Sequence, residues 1–93
     1  MDRVKLTTAE IEERLGLLNG WKSEDDKLKK RVEFQNFSES LDFVNKVGAI
    51  AEAADHHPDI SFGWGYAEIA FTTHDRGGIT DTDFALAEMV NAI

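Results

Sequence analysis

The fold is decided by residues 59–73, which read Asp59-Ile60-Ser61-Phe62-Gly63-Trp64-Gly65-Tyr66-Ala67-Glu68-Ile69-Ala70-Phe71-Thr72-Thr73. Apolar residues alternate from Ile60 to Trp64, and a second alternation runs from Ala67 to Thr73 with Glu68 on the opposite face. A period of two is typical of strands that bury one face. Because Gly63 and Gly65 mark a turn between the two runs, the stretch predicts a hairpin of a third and a fourth strand.

Two further strands are predicted upstream of this hairpin. The first covers Trp21 to Glu24. In the second, from Leu28 to Phe34, apolar residues alternate with charged ones. The segment Asp25-Asp26-Lys27 between them has the composition of a hairpin turn.

Helices are predicted before the first hairpin and after the second. Thr7 and Glu10 fit a capping box, in which each side chain bonds the other residue's backbone, so a first helix is expected over residues 8–17. Thr80 and Asp83 form the same pattern before a last helix. The apolar residues of that last helix are Phe84, Leu86, Ala87 and Val90.

A long central helix is predicted between the two hairpins. Ser38 is a good N-cap residue, and the helix is expected to run to about Ala54 because Pro58 disfavours helical geometry just before it. Its apolar stripe comprises Leu41, Val44, Val47 or Gly48, Ala51 and Ala54, widened by Phe43 and Ile50.

The order helix, two strands, helix, two strands, helix predicts the architecture. Hairpins separated by helices favour an antiparallel sheet whose helices cover one face. We therefore expect an α+β fold, a two-layer sandwich of a four-stranded antiparallel sheet with three helices on one face. A chain of 93 residues is expected to form one domain, residues 1–93.

Composition excludes several classes of function. Ten Lys and Arg residues against eighteen Asp and Glu residues give a net charge of −8, which disfavours direct binding to nucleic acid. The one basic run, Lys27 to Arg31, is interrupted by Leu28 and is interpreted as the solvated face of a strand. The absence of cysteine excludes disulfides, thiolate nucleophiles and Cys-type zinc sites. No signal peptide or membrane span is expected, so the cytoplasm is the expected compartment.

All three histidines are expected in loops or at the ends of elements. His56 and His57 follow the central helix, and His74 follows the fourth strand. Imidazole, with an ordinary pKa of about 6.5, both donates and accepts protons near neutral pH, so three rings in one cleft would suit acid–base chemistry. Solvated histidines at element ends are the plainer alternative. A zinc site is a third, which adjacent histidines rarely form.

Carboxylates accompany the histidines. Glu52 lies one helical turn before His56 and is expected to orient that ring if the helix persists. Asp83 has a plain structural explanation as the third residue of the last helix, closing a capping box with Thr80.

Four motifs surround the histidines and the last cap. They are Asp55-His56-His57-Pro58-Asp59, Thr72-Thr73-His74-Asp75, Gly78-Ile79-Thr80 and Asp83-Phe84-Ala85-Leu86-Ala87. The combination of a His-His-Pro, a Thr-His and a glycine turn at these separations is specific, whereas each part alone is weak. Together the motifs resemble the pterin-4a-carbinolamine dehydratases, and the similarity extends upstream to Gly20-Trp21, Phe34, Phe43 and Val44.

The resemblance implies an activity and a set of site residues. It implies dehydration of a 4a-hydroxy-tetrahydropterin to a quinonoid dihydropterin, with neither metal nor cofactor. The implied catalytic residues are His56, His57 and His74. We hypothesise that His57 and His74 handle protons at the reacting centre, while His56 binds and orients. The implied supporting and substrate-binding residues are Glu52, Pro58, Asp83 and Trp21.

The resemblance also implies partners. The substrate comes from an aromatic amino acid hydroxylase, and family members assemble as homodimers or homotetramers. Because Ile60, Ser61 and Phe62 carry little charge to discourage edge pairing, we expect them at or near an edge-to-edge sheet contact. Animal relatives also act as dimerisation cofactors of a transcription factor, so a non-catalytic binding module is the alternative function.

One region departs from the animal members of that family. Trp64-Gly65 replaces a tyrosine-asparagine pair, and Tyr66 stands where a lysine is usual. The histidines are untouched by this change, which affects the hairpin and the wall of the expected pocket.

Overall fold

The chain forms the elements in the predicted order. The computed structural model describes residues 4–93. A short 3-10 helix at His74–Arg76 precedes the last helix. The elements are α1 (Thr8–Leu15), β1 (Lys22–Glu24), β2 (Lys27–Glu33), α2 (Phe37–Ala54), β3 (Asp59–Gly63), β4 (Tyr66–Phe71) and α3 (Asp81–Asn91).

The four strands form one antiparallel sheet in the order β1-β2-β4-β3. On the inner face, Leu28 of β2 lies opposite Phe71 of β4, and Ile69 of β4 lies opposite Ile60 of β3. The predicted class, an α+β fold with an antiparallel four-stranded sheet, is confirmed. The edge position of β3 leaves one side of that strand without a neighbour in the sheet.

A single core lies between the inner face of the sheet and the helices. The fully buried side chains of the sheet, Leu28, Ile69 and Phe71, pack with residues from all three helices and from the loops beside them. The outer face carries charged side chains instead, such as Arg31 paired with Glu68 across two strands. This division follows from the period-two alternation, which sends every second side chain to one side.

The predicted first cap is confirmed. The backbone N–H of Thr7 donates to Glu10 Oε1 at 2.9 Å, and the N–H of Glu10 donates to the Thr7 hydroxyl at 3.2 Å. The helix ends at Leu15, two residues before the predicted end. The helical pattern ends there because the N–H groups of Leu17 and Leu18 bond the oxygens three residues back, those of Arg14 and Leu15, in tighter turns.

The predicted N-cap of α2 is wrong by two residues. Asn36, in an extended conformation, accepts the N–H of Glu39 through its side-chain oxygen at 2.9 Å, and Ser38 lies inside the first turn. Asparagine is as good an N-cap as serine, so the local sequence offers two candidates that propensity does not separate.

Two apolar side chains expected to be buried are exposed. Trp64 was predicted to continue the third strand, but β3 ends at Gly63 and Trp64 occupies the turn with 72% of its surface exposed. Leu41 of α2 is 39% exposed and lies one turn after the exposed Phe37. Trp64 is exposed because the turn after Gly63 ends the strand alternation.

Left-handed backbone closes two important turns. Asp25 and Asp26, with φ of 55° and 59°, form the two-residue loop between β1 and β2 that was predicted there. Asp55, with φ of 51°, is the C-cap of α2. Aspartate is one of the few non-glycine residues that visit this region readily. The chain therefore leaves α2 sharply at the residue before the paired histidines.

Among residues 4–93, no helix combines the length and the apolar character needed to cross a membrane.

Candidate active site

His56 is held inside the protein by a carboxylate and an aromatic ring. Its side chain is 10% exposed, and its Nε2 atom lies 2.6 Å from Oδ1 of the fully buried Asp83. The imidazole also stacks on Phe71, with ring centroids 6.4 Å apart and planes 13° from parallel. An ionised carboxylate only accepts hydrogen bonds, so Nε2 carries the hydrogen and Nδ1 is the ring nitrogen left for other chemistry.

Asp83 is the centre of a buried polar network. Its second oxygen, Oδ2, accepts hydrogen bonds from the Thr73 hydroxyl at 2.8 Å and from the Thr80 backbone N–H at 2.9 Å. The hydroxyls of Thr73 and Thr80 also lie 2.8 Å apart. The predicted capping box is confirmed. The same carboxylate therefore caps α3 and fixes His56.

His57 is paired with Glu52, which corrects the expected partnership. The sequence predicts that Glu52 orients His56, four residues later, but Glu52 Oε1 lies 2.5 Å from Nε2 of His57. The left-handed C-cap at Asp55 interrupts the helical spacing, so the residue five positions on reaches the carboxylate. The side chains of His57 and Glu52 are 53% and 78% exposed, in contrast to the buried pair beneath them.

His74 begins the short 3-10 helix beyond β4 and is exposed. The preceding residue, Thr73, is fully buried, donates to Asp83 and forms an isolated bridge with Gly78. Asp83 thus contacts His56 directly and the residue before His74. The network ties the two histidine segments together.

Sheet pairing brings the same two segments to one end of the molecule. Asp59 at the start of β3 lies opposite Ala70 near the end of β4, so the connection from His57 to β3 runs beside the start of the His74 loop. This confirms the expected position of the end of the central helix beside the end of the fourth strand. The meeting of all three imidazoles in one cleft stays a prediction.

The two other predicted supporting residues have different surroundings. Trp21, 7% exposed, lies just before β1, with its ring centroid 5.9 Å from that of Phe71. Its indole N–H donates to Asn91 Oδ1 at 2.8 Å. Pro58 is partly buried in the link between His57 and β3. The structure places both near the histidine segments, and their contact with a substrate stays a prediction.

Among residues 4–93, no group of three or more His, Cys, Asp or Glu side chains is arranged to hold a metal ion. The Nε2 atoms of His56 and His57 face different carboxylates, so these two atoms do not converge on one point. The geometry gives no support to the zinc alternative.

Two open depressions of about 510 Å³ each lie away from the histidines. One is on the charged outer face of the sheet, bordered by residues such as Lys29 and Glu68, and the other lies between α2 and the end of α3. No histidine lines either depression. The paired imidazoles and carboxylates are the candidate site because of their acid–base chemistry and not because of cavity volume.

Sequence analysis did not assign a role to Thr73 or Phe71. Thr73 joins Asp83 to the His74 loop, and Phe71 supports the ring of His56. The available signal was the strand alternation, which puts Thr73 on the inner face after Phe71. A hydroxyl at an inward position predicts a buried hydrogen-bond partner, because burial without one is costly.

Comparison with known sequences points to one family. The sequence profile described as pterin 4 alpha carbinolamine dehydratase matches residues 4–93. A protein of Sulfolobus acidocaldarius, provisionally named pterin-4-alpha-carbinolamine dehydratase, is 44% identical over 90 residues, covering 97% of this chain and 99% of its own. A protein of Picosynechococcus sp. with the same provisional name is 47% identical over 83 residues, covering 89% and 90%.

Solved structures agree as well. The crystal structure described as a transcriptional coactivator/pterin dehydratase from Brucella melitensis superposes with a TM-score of 0.89, at 30% identity, covering 95% of this chain and 96% of that one. A pterin dehydratase-like protein identified as a RuBisCO assembly factor in the alpha-carboxysome gives a TM-score of 0.64 at 25% identity, covering 77% and 83%. The chain belongs to the pterin 4 alpha carbinolamine dehydratase family.

Proposed function

We propose that this protein is a cytoplasmic dehydratase that converts a 4a-hydroxy-tetrahydropterin to a quinonoid dihydropterin and water. Family membership supports pterin carbinolamine dehydratase activity. The observation that carries the proposal is the buried Asp83 carboxylate, which bonds His56 and the threonine preceding His74. The reaction needs a proton donor and a proton acceptor, and imidazoles supply both near neutral pH.

In this proposal His56 binds and orients the substrate. Its ring is restrained by Phe71 on one face and by Asp83 at Nε2, so Nδ1 has a fixed position. A fixed nitrogen suits recognition of a polar atom of the pterin, since orientation lowers the entropic part of the barrier. A side chain that is 10% exposed is also poorly placed to exchange protons with bulk water.

His57 and His74 then handle the protons. One imidazolium protonates the departing 4a oxygen, the carbon–oxygen bond breaks, and water leaves. The lone pair of a ring nitrogen forms the new C=N bond, and the second imidazole accepts the proton which that nitrogen loses. The exposed pair of His57 with Glu52 supports this assignment, because the carboxylate orients the imidazole while solvent has access to exchange its proton.

A stopped-flow assay with chemically generated 4a-hydroxy-tetrahydropterin tests the activity. The wild-type chain should accelerate dehydration above the buffer rate. His57→Ala and His74→Ala should each lower kcat by about 10²- to 10⁴-fold, while His56→Ala should raise KM more than it lowers kcat. Glu13→Gln, an exposed change on α1, is the matched control. Unchanged kcat in all three histidine variants would contradict the mechanism.

The proposal includes the absence of any cofactor or metal, and supply of the substrate by an aromatic amino acid hydroxylase. It also includes assembly into a homodimer or homotetramer, with Trp21 and Pro58 contributing to substrate binding. Activity should survive treatment with a chelator. Loss of activity on chelation that zinc restores would contradict this part of the proposal.

A binding module is the second candidate, and two observations favour it. The solved relatives described above include a transcriptional coactivator and an assembly factor. In this chain, Phe37 and Leu41 expose 45% and 39% of their surfaces one turn apart on α2. The remaining exposed face of the helix is polar, with Glu39, Asp42, Asn45 and Lys46. No rate above buffer in the stopped-flow assay would favour this second function.

A further inference from the structure

Asn91, the last residue of α3, makes three hydrogen bonds to the opposite side of the core. Its Oδ1 accepts from the indole N–H of Trp21 at 2.8 Å and from Nζ of Lys30 at 2.7 Å. Its Nδ2 donates to the backbone oxygen of Asn19 at 2.9 Å. The ammonium of Lys30 also lies 6.0 Å from the centroid of the Trp21 ring. The Asn91 amide thus restrains Trp21 directly, through the indole N–H. It also restrains the ring indirectly, through Lys30 beside it and through Asn19 in the preceding loop.

The same helix holds His56 at its other end. Asp83, in the first turn of α3, bonds His56, and Asn91, in the last turn, bonds Trp21. Both restrained rings contact Phe71, with centroid distances of 6.4 Å for His56 and 5.9 Å for Trp21. Leu86, Ala87 and Val90 bury the helix between these two ends. A rigid element therefore sets the positions of both rings beside one phenylalanine.

We infer that Asn91 is a positioning residue that acts on substrate binding through Trp21. The inference deepens the proposed function, because it requires that His56 bind the pterin. Trp21 is 7% exposed and its indole N–H is bonded to Asn91, so its ring acts by packing on Phe71 and not by touching the substrate. Phe71 in turn stacks on His56, and the orientation of that imidazole affects how well the substrate binds.

Loss of the Asn91 amide should change KM more than kcat. His56 keeps its own restraint from Asp83, and the side-chain hydrogen bonds of Asn91 go to Trp21, Lys30 and Asn19. Removing one ordinary hydrogen bond corresponds to about a fivefold change in binding. We expect Asn91→Ala to raise KM by about that factor and to leave kcat within about twofold.

A single-tryptophan background separates this effect from loss of activity. The chain has two tryptophans, and the exposed one is replaced in Trp64→Phe, so that all remaining indole emission comes from Trp21. In that background Asn91→Ala should shift the emission of Trp21 to longer wavelength, because the ring gains freedom and contact with water. Asn91→Asp keeps an oxygen for Trp21 and Lys30 and should restore both the emission and KM. Asn45→Ala, an exposed asparagine change on α2, is the matched control.

The outcomes distinguish the two proposals. KM is measured in the wild-type background, and emission is measured in the Trp64→Phe background. If the wild-type chain has no dehydratase activity although it is folded, the proposed function fails and Asn91 loses its positioning role. If it is active, unchanged emission in Asn91→Ala, or shifted emission with unchanged KM, overturns the positioning role. A failure of Asn91→Asp to restore KM also overturns it. Should Asn91→Ala not fold, Asn91→Gln is measured in its place against the same criteria, because its longer side chain displaces the amide.

Discussion

At the scale of single residues, Asp83 connects stability and chemistry. One oxygen of its carboxylate faces His56, and the other accepts hydrogen bonds from Thr73 and Thr80. Among residues 4–93, every buried side-chain nitrogen or oxygen has a hydrogen-bond partner. A network that is fully satisfied defines a single arrangement, because each alternative leaves a buried polar group unpaired.

Asp83→Asn should lower activity while largely preserving the fold. The amide oxygen can keep the bonds from Thr73 and Thr80, but the amide nitrogen then faces His56 as a donor. His56 must accept at Nε2, so its hydrogen moves to Nδ1 and its other ring nitrogen changes from acceptor to donor. We expect kcat/KM to fall at least tenfold, as is usual when an orienting carboxylate is lost. The measurement is the stopped-flow assay with a parallel thermal melt.

Asp83→Ala is the matched comparison. It leaves the donors of Thr73 and Thr80 without their carboxylate, at a cost of about 1–3 kcal/mol per unsatisfied group in addition to the loss of activity. Full activity of Asp83→Asn, or equal destabilisation by both changes, would contradict the role assigned to the carboxylate.

The proposed acid–base pair predicts a pH dependence. One imidazole must be protonated and another neutral, and an ordinary imidazole titrates near pH 6.5. We expect kcat/KM to rise and fall between about pH 6 and 8. A profile that stays flat from about pH 5 to 9, with chemistry as the slow step, would contradict imidazole catalysis.

At the scale of elements, the local sequence predicted the type and order of the helices and strands better than the residues at which they begin and end. Alternation in residues 59–73 predicted β3 and β4, because a sheet with one buried face imposes a period of two. It did not locate the end of β3, since Trp64 fits the alternation but lies in the turn. The expected Glu52–His56 pair failed because the left-handed Asp55 ends the helical spacing. The spacing of residues along the sequence does not reveal where φ becomes positive.

The start of α2 gives a direct test at this scale. Because Asn36 accepts the N–H of Glu39, Asn36→Ala should lower the free energy of unfolding by about 1 kcal/mol. Ser38→Ala, at the N-cap expected from sequence, should change it by less than about 0.5 kcal/mol. Chemical denaturation measures both. A larger effect of the serine change would show that the helix begins later.

The start of α1 predicts a pH-dependent contribution to stability. The Thr7 backbone N–H, and then its hydroxyl, lower the pKa of Glu10 below its ordinary value of 4.5. A carboxyl whose pKa is lowered by folding stabilises the fold above its unfolded pKa, and this is lost as pH falls through the folded value. Glu10→Gln should therefore lower Tm at neutral pH, and the difference should diminish as the pH falls below 4.5 and through the lowered pKa of Glu10. Glu13→Gln is the control, and a difference unchanged by pH would contradict the prediction.

At the scale of the whole molecule, the sequence predicted the architecture and suggested the residues of the candidate site, but not how they are connected. Two hairpins and three capped helices allow few arrangements around one core, so the layer order followed from the element order. The link between His56 and Asp83 joins residues 27 positions apart and depends on tertiary packing. Asn91, which is 70 positions from Trp21, lay beyond any local pattern for the same reason.

The open edge of β3 predicts self-association. The strand is last in the sheet order, and its inner-face residue Phe62 packs with the exposed Phe37, with ring centroids 5.7 Å apart. Unpaired strand edges attract a second strand, and the repulsion from a net charge of −8 is screened within about 8–10 Å at physiological salt. Light scattering at micromolar concentration should show a dimer or tetramer.

Phe62→Lys should shift this assembly toward the monomer. The lysine puts a charge beside the strand edge and removes the contact with Phe37. Leu17→Lys, at a position 90% exposed on the loop after α1, is the control and should leave the assembly unchanged. A wild-type species of 10.4 kDa that persists on concentration would contradict the prediction.

Asp83 both caps α3 and bonds His56, so its presence in a relative is not by itself evidence of catalysis. A descendant that stops catalysing still needs a carboxylate to cap α3 and satisfy Thr73, so selection for folding alone preserves this aspartate. Glu52 and His57 are exposed, and neither supports the core. Drift should therefore erase these two first once turnover no longer matters. Retention of the exposed pair, and not of the buried one, is the sign by which a working enzyme can be recognised among non-catalytic descendants of this fold.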